Sequence, residues 1–438
     1  MRFWKTLLGC SILAALALLG WTAHSGWGRP LIRSVEARQE AAATPSKPAQ
    51  PSAAEDPVNV QEIVAFAQKG LDWLARAQHP DGGWGAGSHA AQQMRDPHQV
   101  KTDPATTAFV GLALLRAGST PVAGRHREAL RRATHYLVDA VERSPATDPF
   151  ITDLRSTQLQ SKLGPYIDTS MAAQYLARAT MALPPEDALS VPVDQALDKC
   201  LRKLTSVQSQ DGSWNQGGGW APVLQSSQSL NALELAQVSG KKIDQAVLQR
   251  ARQAQKGNYS LETGRASAGS GAGVELYAYS SAQKAAAAEY RIATDTIQKA
   301  KERGVLNEDA TVSEENLARA GLTTRSGRNV MAGYLALTSM DARLDDDNLL
   351  RGFGSNGGEE FLSYLLTSES LVISGSGKWK DWNQKMHQRL AKIQNPDGSW
   401  SGHHCITSPV FCTAAVLQCL MADRDAKVLL AVANVAVE

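Results

Sequence analysis

Three segments of this chain repeat one another, and an internal repeat constrains a fold more than any other feature of a sequence. Gln78-His79-Pro80-Asp81-Gly82-Gly83-Trp84, Gln208-Ser209-Gln210-Asp211-Gly212-Ser213-Trp214 and Gln394-Asn395-Pro396-Asp397-Gly398-Ser399-Trp400 share Gln, then Asp-Gly, then Trp at the same spacing. An apolar residue, Leu74, Leu204 or Leu390, stands four before each Gln. Upstream, Phe66, Leu71, Trp73 and Leu74 in the first copy and Leu197, Leu201 and Leu204 in the second keep helical spacing, which predicts an amphipathic helix ending near the Gln. Asp-Gly breaks that helix, with Gly free to take positive φ. Trp just past the turn can then cover the helix end, and the Gln amide can satisfy loose backbone groups there.

A second, more apolar helix is expected after each of these turns: Asp103 through Leu115, Gln225 through Val238, and Cys405 through Leu420. Stretches of the same kind run from Tyr166 to Met181, Gly271 to Ala282 and Gly357 to Ile373, while Arg127–Val141 and Asp381–Ile393 are more polar. About six apolar helices alternating with polar ones are what a closed ring of helical hairpins requires. The expected fold is therefore all-α, an α/α-toroid over residues 60–438, its inner helices opening on a central cavity. Residues 285–350 are the least legible part, with at least two further helices and a polar segment, Thr323–Asn329.

The first segment resembles the QW repeat of squalene-hopene and oxidosqualene cyclases, with Lys69-Gly70, Trp73-Leu74, Gln78, Gly82 and Trp84 at matching places. The copies at Gln208, Gly212, Trp214 and Gln394, Gly398, Trp400 match in Leu, Gln, Gly and Trp but lack the aromatic before the Leu. The resemblance implies a terpenoid-cyclase or prenyltransferase-like toroid of six hairpins. It does not imply the cyclase reaction, because in that superfamily the same barrel serves cyclases, protein prenyltransferase β-subunits and non-catalytic or thioester-bearing domains.

Arg2 and Lys5 precede the apolar run Leu7–Leu19, and Ala23-His24-Ser25 offers small residues where a signal peptidase reads, so residues 1–25 are expected to direct export. Cleavage and retention as an inner-membrane anchor both stay open, since Trp4 to Trp21 reaches the roughly 17–25 residues of a spanning helix. Cys10 follows Leu7-Leu8-Gly9 like a lipidation site, but most of the apolar run comes after it. Residues 26–59, above all the Ala-, Pro- and Ser-rich part from Glu40, read as a tether. The body then works in the periplasm or outside the cell. Without Arg2 and Lys5 it carries 43 basic against 43 acidic residues, which argues against a nucleic-acid partner. Cys405, Cys412 and Cys419, spaced by seven, read as a buried helix stripe, with a disulfide from Cys200 to Cys405 or Cys419 left open.

Chemistry is expected where inner helices begin. Asp103, Asp168, Glu359 and Glu360 are the candidate catalytic acids. Glu360, His403, His404 and Cys405 form a candidate zinc set, because carboxylate, imidazole and thiolate are ligands that zinc accepts. Protein prenyltransferase β-subunits hold zinc at comparable helix starts with Asp, Cys and His, but their Asp-x-Cys half is missing here and Glu-Glu stands in its place. The bland alternative is that the two glutamates cap a helix and the histidines are rim polarity. Glu275 either looks into the cavity or pairs with a cation. Asp345-Asp346-Asp347-Asn348 is not the cyclase D-x-D-D pattern and reads as a solvated turn; no D-D-x-x-D is present either. The Gly-rich runs Gly269–Gly273 and Gly352–Gly358 lack the Lys-Ser or Lys-Thr of a phosphate loop. Three functions follow: an exported toroid that binds an apolar or peptide-like ligand in its cavity or serves as an interaction scaffold, a zinc-assisted enzyme, and a terpenoid cyclase, the last disfavoured.

Overall fold

The computed structural model describes residues 63–354 and 356–435. The expected signal, tether and Cys10 fall outside them. The described residues all belong to one compact unit, Ser52–Glu438.

Each Trp turn ends an outer helix and leads into an inner one. The outer helices are α1 (Ala65–Arg76), α3 (Arg127–Arg143), α6 (Ser190–Ser206), α8 (Gln245–Lys256), α11 (Thr324–Asp341) and α14 (Trp379–Ala391). The inner ones are α2 (Pro104–Arg116), α5 (Ile167–Ala182), α7 (Pro222–Val238), α9 (Glu275–Glu302), α13 (Gly358–Ser374) and α15 (Pro409–Leu420). Short helices α4 (Gln158–Lys162), α10 (Glu314–Arg319) and α12 (Asp347–Leu350), the strands β1 (Tyr259–Ser260) and β2 (Arg265–Ala266), and a last helix α16 (Ala426–Val435) complete the list. Inner helices are enclosed on all sides, so nearly every residue of α2, α7 and α13 is buried, polar ones such as Gln225 and Glu359 included, whereas α3 buries one face. Each inner helix packs on the next in the order α2, α5, α7, α9, α13, α15, and α15 returns to α2. The ring of six hairpins is closed. No described helix is long and apolar enough to cross a membrane.

The repeated residues hold the ring together. Trp84, Trp214 and Trp400 are fully buried and donate their indole N–H to Leu74, Leu204 and Leu390 at 2.8, 2.9 and 2.8 Å, loose carbonyls at the ends of α1, α6 and α14. Gln78, Gln208 and Gln394 each give one amide hydrogen to the glycine carbonyl of their own turn and another to Ala129, Val247 or Phe66, in the first turn of the neighbouring outer helix. Gly82, Gly212 and Gly398 have φ of 88°, 89° and 97°. A Cβ there would also lie 2.7, 2.2 or 2.9 Å from a backbone oxygen of that same neighbour, so glycine is required twice over.

Three boundaries differ from the reading of the sequence. The apolar helix expected from Gly271 begins at Glu275 and runs on to Glu302, its far half packing with α10 and α11 around a separate small core of Ile297, Leu306, Leu317 and Val330. Thr323–Asn329, read as a polar segment, is the capped start of α11, with Thr323 as N-cap. Cys405 lies outside α15, which starts at Pro409 behind an Ser408 cap. All four described cysteines are free and buried, so the Cys200 pairing is not formed.

Candidate functional site

Inner helices begin together. The Ala105 amide donates to Asp168 at 3.0 Å, the Tyr166 amide to Gln225 at 2.7 Å, Tyr277 to Glu360 at 2.6 Å and the Gly358 amide to the Ile406 carbonyl at 2.9 Å. The helices are therefore parallel around the ring and their starts form one end of it.

Asp103 and Asp168 do not face a ligand space. Asp103 is the N-cap of α2, buried and accepting from Thr106 N, Thr106 Oγ1 and Ala86 N at 2.7, 3.0 and 2.8 Å. Asp168 accepts from Ala105 N and, at 2.7 Å, from Gln160 of α4. Burial, then the Asp168 carboxylate, pushes Asp103 up to about 7, and burial raises Asp168. These two acids fasten hairpin starts beneath loops that cover them.

Glu360 also spends its oxygens internally, accepting from Tyr277 and Phe353 N on Oε1 and Gly357 N on Oε2. Glu359 does not. One of its oxygens takes the Ile406 amide at 3.1 Å, and the other, fully buried, has no hydrogen-bond partner. Burial, then the Glu360 charge, pushes Glu359 up to about 8, so the group is a neutral acid at neutral pH. Its neighbours are Glu360 on the same helix, Lys162 of α4 and the Cys405 thiol, itself pushed up to about 12 by burial and then by Glu359. A native carboxyl above its unfolded value stabilises the fold fully below pH ~4.3 and loses that contribution as pH rises through its native value. Glu359→Gln is accordingly expected to raise Tm by a few degrees at pH 9 and to leave it within about one degree at pH 5. Differential scanning fluorimetry at both pH values measures this, and an equal shift at both would discard the assignment of a neutral Glu359.

The zinc set is corrected by geometry. His403 is exposed, His404 Nε2 stands 3.8 Å from Glu360 Oε2, and the Cys405 thiol turns instead to Glu359. Among the described residues no three such donors converge where a metal ion could sit. Pro409 is the cause: it moves the helix start beyond the His-His-Cys run, which forms a loop with Cys405 at φ 59°.

Beside this cluster a cleft of about 340 Å³ opens, lined among others by Arg265, Glu275, Arg343, Asp346, Asn348 and Gly352. Gly352 joins the two places, since a Cβ there would lie 2.5 Å from Glu360 Oε1. Glu275 pairs with Arg343 at 2.6 Å and Arg265 at 3.2 Å. Asp346 pairs with Arg343 at 3.1 Å and caps α12, while Asp345 and Asp347 are solvated. Hydrogen bonds from Arg343 hold Glu275 below its usual range against the opposing effect of burial, and hold Asp346 below its range as well. Phe353, next to Gly352, is 54% exposed and meets Trp220 edge-on at 5.5 Å.

The opposite end of the ring is plugged. Arg116 donates to Glu369 at 2.6 Å, Asp425 at 2.7 Å and the Gln418 carbonyl at 2.8 Å, and Arg178 grips both oxygens of Asp425. Lys284 stands 3.7 Å from Glu369 and 4.0 Å from Glu234, with Arg252 behind Glu234 at 2.9 Å. With Leu429 and Val432 of α16 this network leaves a cavity of about 30 Å³. The sequence signal for it was a charge in each of several otherwise apolar helices, Arg116, Glu234, Lys284 and Glu369. Of the cleft only Glu275 stands out in the sequence, since Arg265, Arg343, Asp346 and Asn348 come from segments that look like ordinary polar turns.

Residues 53–148, which hold α1, α2, α3 and the first Trp turn, match the squalene-hopene cyclase C-terminal domain family. A similar protein is the squalene hopane cyclase afumA of Aspergillus fumigatus, 32% identical over 84 residues, 19% of this chain. The match spans 11% of that protein's length. No solved structure matches significantly. On an all-α ring of hairpins, these matches support a place for the chain in the terpenoid-cyclase-like superfamily.

Proposed function

We propose that the chain is a binding toroid that takes its ligand at the end where the inner helices begin, and that it does not cyclise triterpenoids. The observation that carries this reading is the contrast between the two ends. The plugged end keeps about 30 Å³ and is crossed by ion pairs, which an apolar chain could displace only by stranding buried charge. At the other end, the cleft beside the start of α9 offers about 340 Å³, within the roughly 300–1,000 Å³ of small-molecule sites. The relative's name speaks of a squalene cyclase, but the D-x-D-D acids that protonate in such enzymes are lacking here. Arg2, Lys5 and the apolar run after them support work outside the cytoplasm. Incubation of the purified protein with squalene, followed by gas chromatography and mass spectrometry, is expected to return squalene alone. A cyclised product in amounts that scale with protein would end this reading.

A further inference from the structure

The lining of the mouth cleft restricts what can enter it. Two arginines face two carboxylates, so the wall has no net charge, and every one of these groups already has a partner of opposite sign. An anion would have to displace Glu275 or Asp346 from an arginine, or sit beside them. A cation would face Arg265 and Arg343 in the same way. An apolar ligand would strip water from four charges with only Val274, Leu276 and Leu349 in return, and uncompensated desolvation of charge is costly. What remains is an uncharged ligand dense in hydroxyl groups. Each hydroxyl both donates and accepts, so it can bridge an arginine and a carboxylate without breaking the pair between them. Hydrogen bonds to ionised partners are the stronger kind.

A second observation points the same way. Next to Gly352 of this lining stands Phe353, a large aromatic ring left more than half exposed although Trp220 and His404 meet it at 5.5 and 5.3 Å in edge-on geometry. More than half of the residue stays open to solvent. The faces of a pyranose present C–H groups that rest on such a ring, while the hydroxyls around its equator reach the paired charges. Glu275 and Arg343 are fixed in advance by Ala266 N and the Gly264 carbonyl, so the ligand would meet partners already oriented.

We propose that the cleft between β2, the start of α9 and α12 is a binding site for a neutral oligosaccharide, with Phe353 as its stacking platform and Arg265, Glu275, Arg343 and Asn348 as its hydroxyl partners. The proposal rests on the mouth being the ligand-binding end, which the squalene incubation tests separately. Squalene turnover would sink that reading, whereas failure of sugars to bind sinks only this one. The probes are chitotriose, cellotriose and maltotriose, titrated by isothermal calorimetry into the full chain at up to about 10 mM, with citrate and glycine as charged and zwitterionic comparisons. At least one of the three sugars is expected to bind, and Phe353→Ala and Asn348→Ala are each expected to weaken it by about tenfold with unchanged thermal unfolding. Both residues are exposed, so neither change disturbs the core. Binding by none of the three, binding that both variants leave intact, or tighter binding of citrate or glycine would each overturn the assignment.

Discussion

Asp425→Ala is expected to lower the stability of the ring by about 3–5 kcal/mol, because it leaves one buried and one partly buried guanidinium group without their shared carboxylate. Arg116 and Arg178 reach Asp425 from different inner helices, and neither can escape by losing its proton. Asp425 also precedes α16 directly, so its loss frees the helix that closes that end. The effect depends on pH. The two arginines hold Asp425 well below the usual carboxylate range despite its burial. Its contribution is therefore complete above the unfolded carboxylate value, near pH 4, and fades only as pH falls through the lower native value. Urea unfolding at pH 7 should show the full loss, and at pH 2 a smaller gap between variant and wild type. A gap that does not narrow would mean that packing, not charge, is what Asp425 supplies.

Trp400→Ala is the second large effect, about 3–5 kcal/mol by the usual cost of emptying an aromatic site in a core. It also strands the Leu390 carbonyl at the end of α14. The indole packs on α1, where a Cβ on Gly70 would come within 2.8 Å of it and where Phe66 meets it at 6.1 Å. The damage should thus appear at the contact between the last hairpin and the first. Amide hydrogen exchange is expected to quicken throughout α1 and α14 while α6 and α7 keep their protection. Uniform loss across the ring would instead show that the toroid opens only as a whole.

How much of this could be read beforehand follows from where the signals are local. The Gln, Asp-Gly and Trp spacing encodes a turn within seven residues, and such a turn is legible because its physics is complete within that span. The second hydrogen bond of each Gln, to Ala129, Val247 or Phe66, crosses to another hairpin, and no spacing in the sequence reveals it. The same limit misplaced the chemistry. Asp103 and Asp168 do open inner helices, but the loops that cover them lie far away in sequence and turn candidate acids into fastenings. His403, His404 and Cys405 read as a helix start in the sequence, yet Pro409 begins that helix four residues after Cys405. Glu275 paired with cations and lined a cleft at once, two readings that had seemed to exclude each other.

The Gln394 amide reaches Phe66 in the same way as Gln78 reaches Ala129, and the Trp73 indole donates to Asp397 at 2.9 Å across the same join. The join between the last described hairpin and the first is thus made with the same fittings as joins where the chain runs straight on. Covalent continuity is then incidental to the architecture: the six hairpins form a cycle with no privileged starting point, and the order in which a ribosome strings them together is one choice among several that would close the same ring.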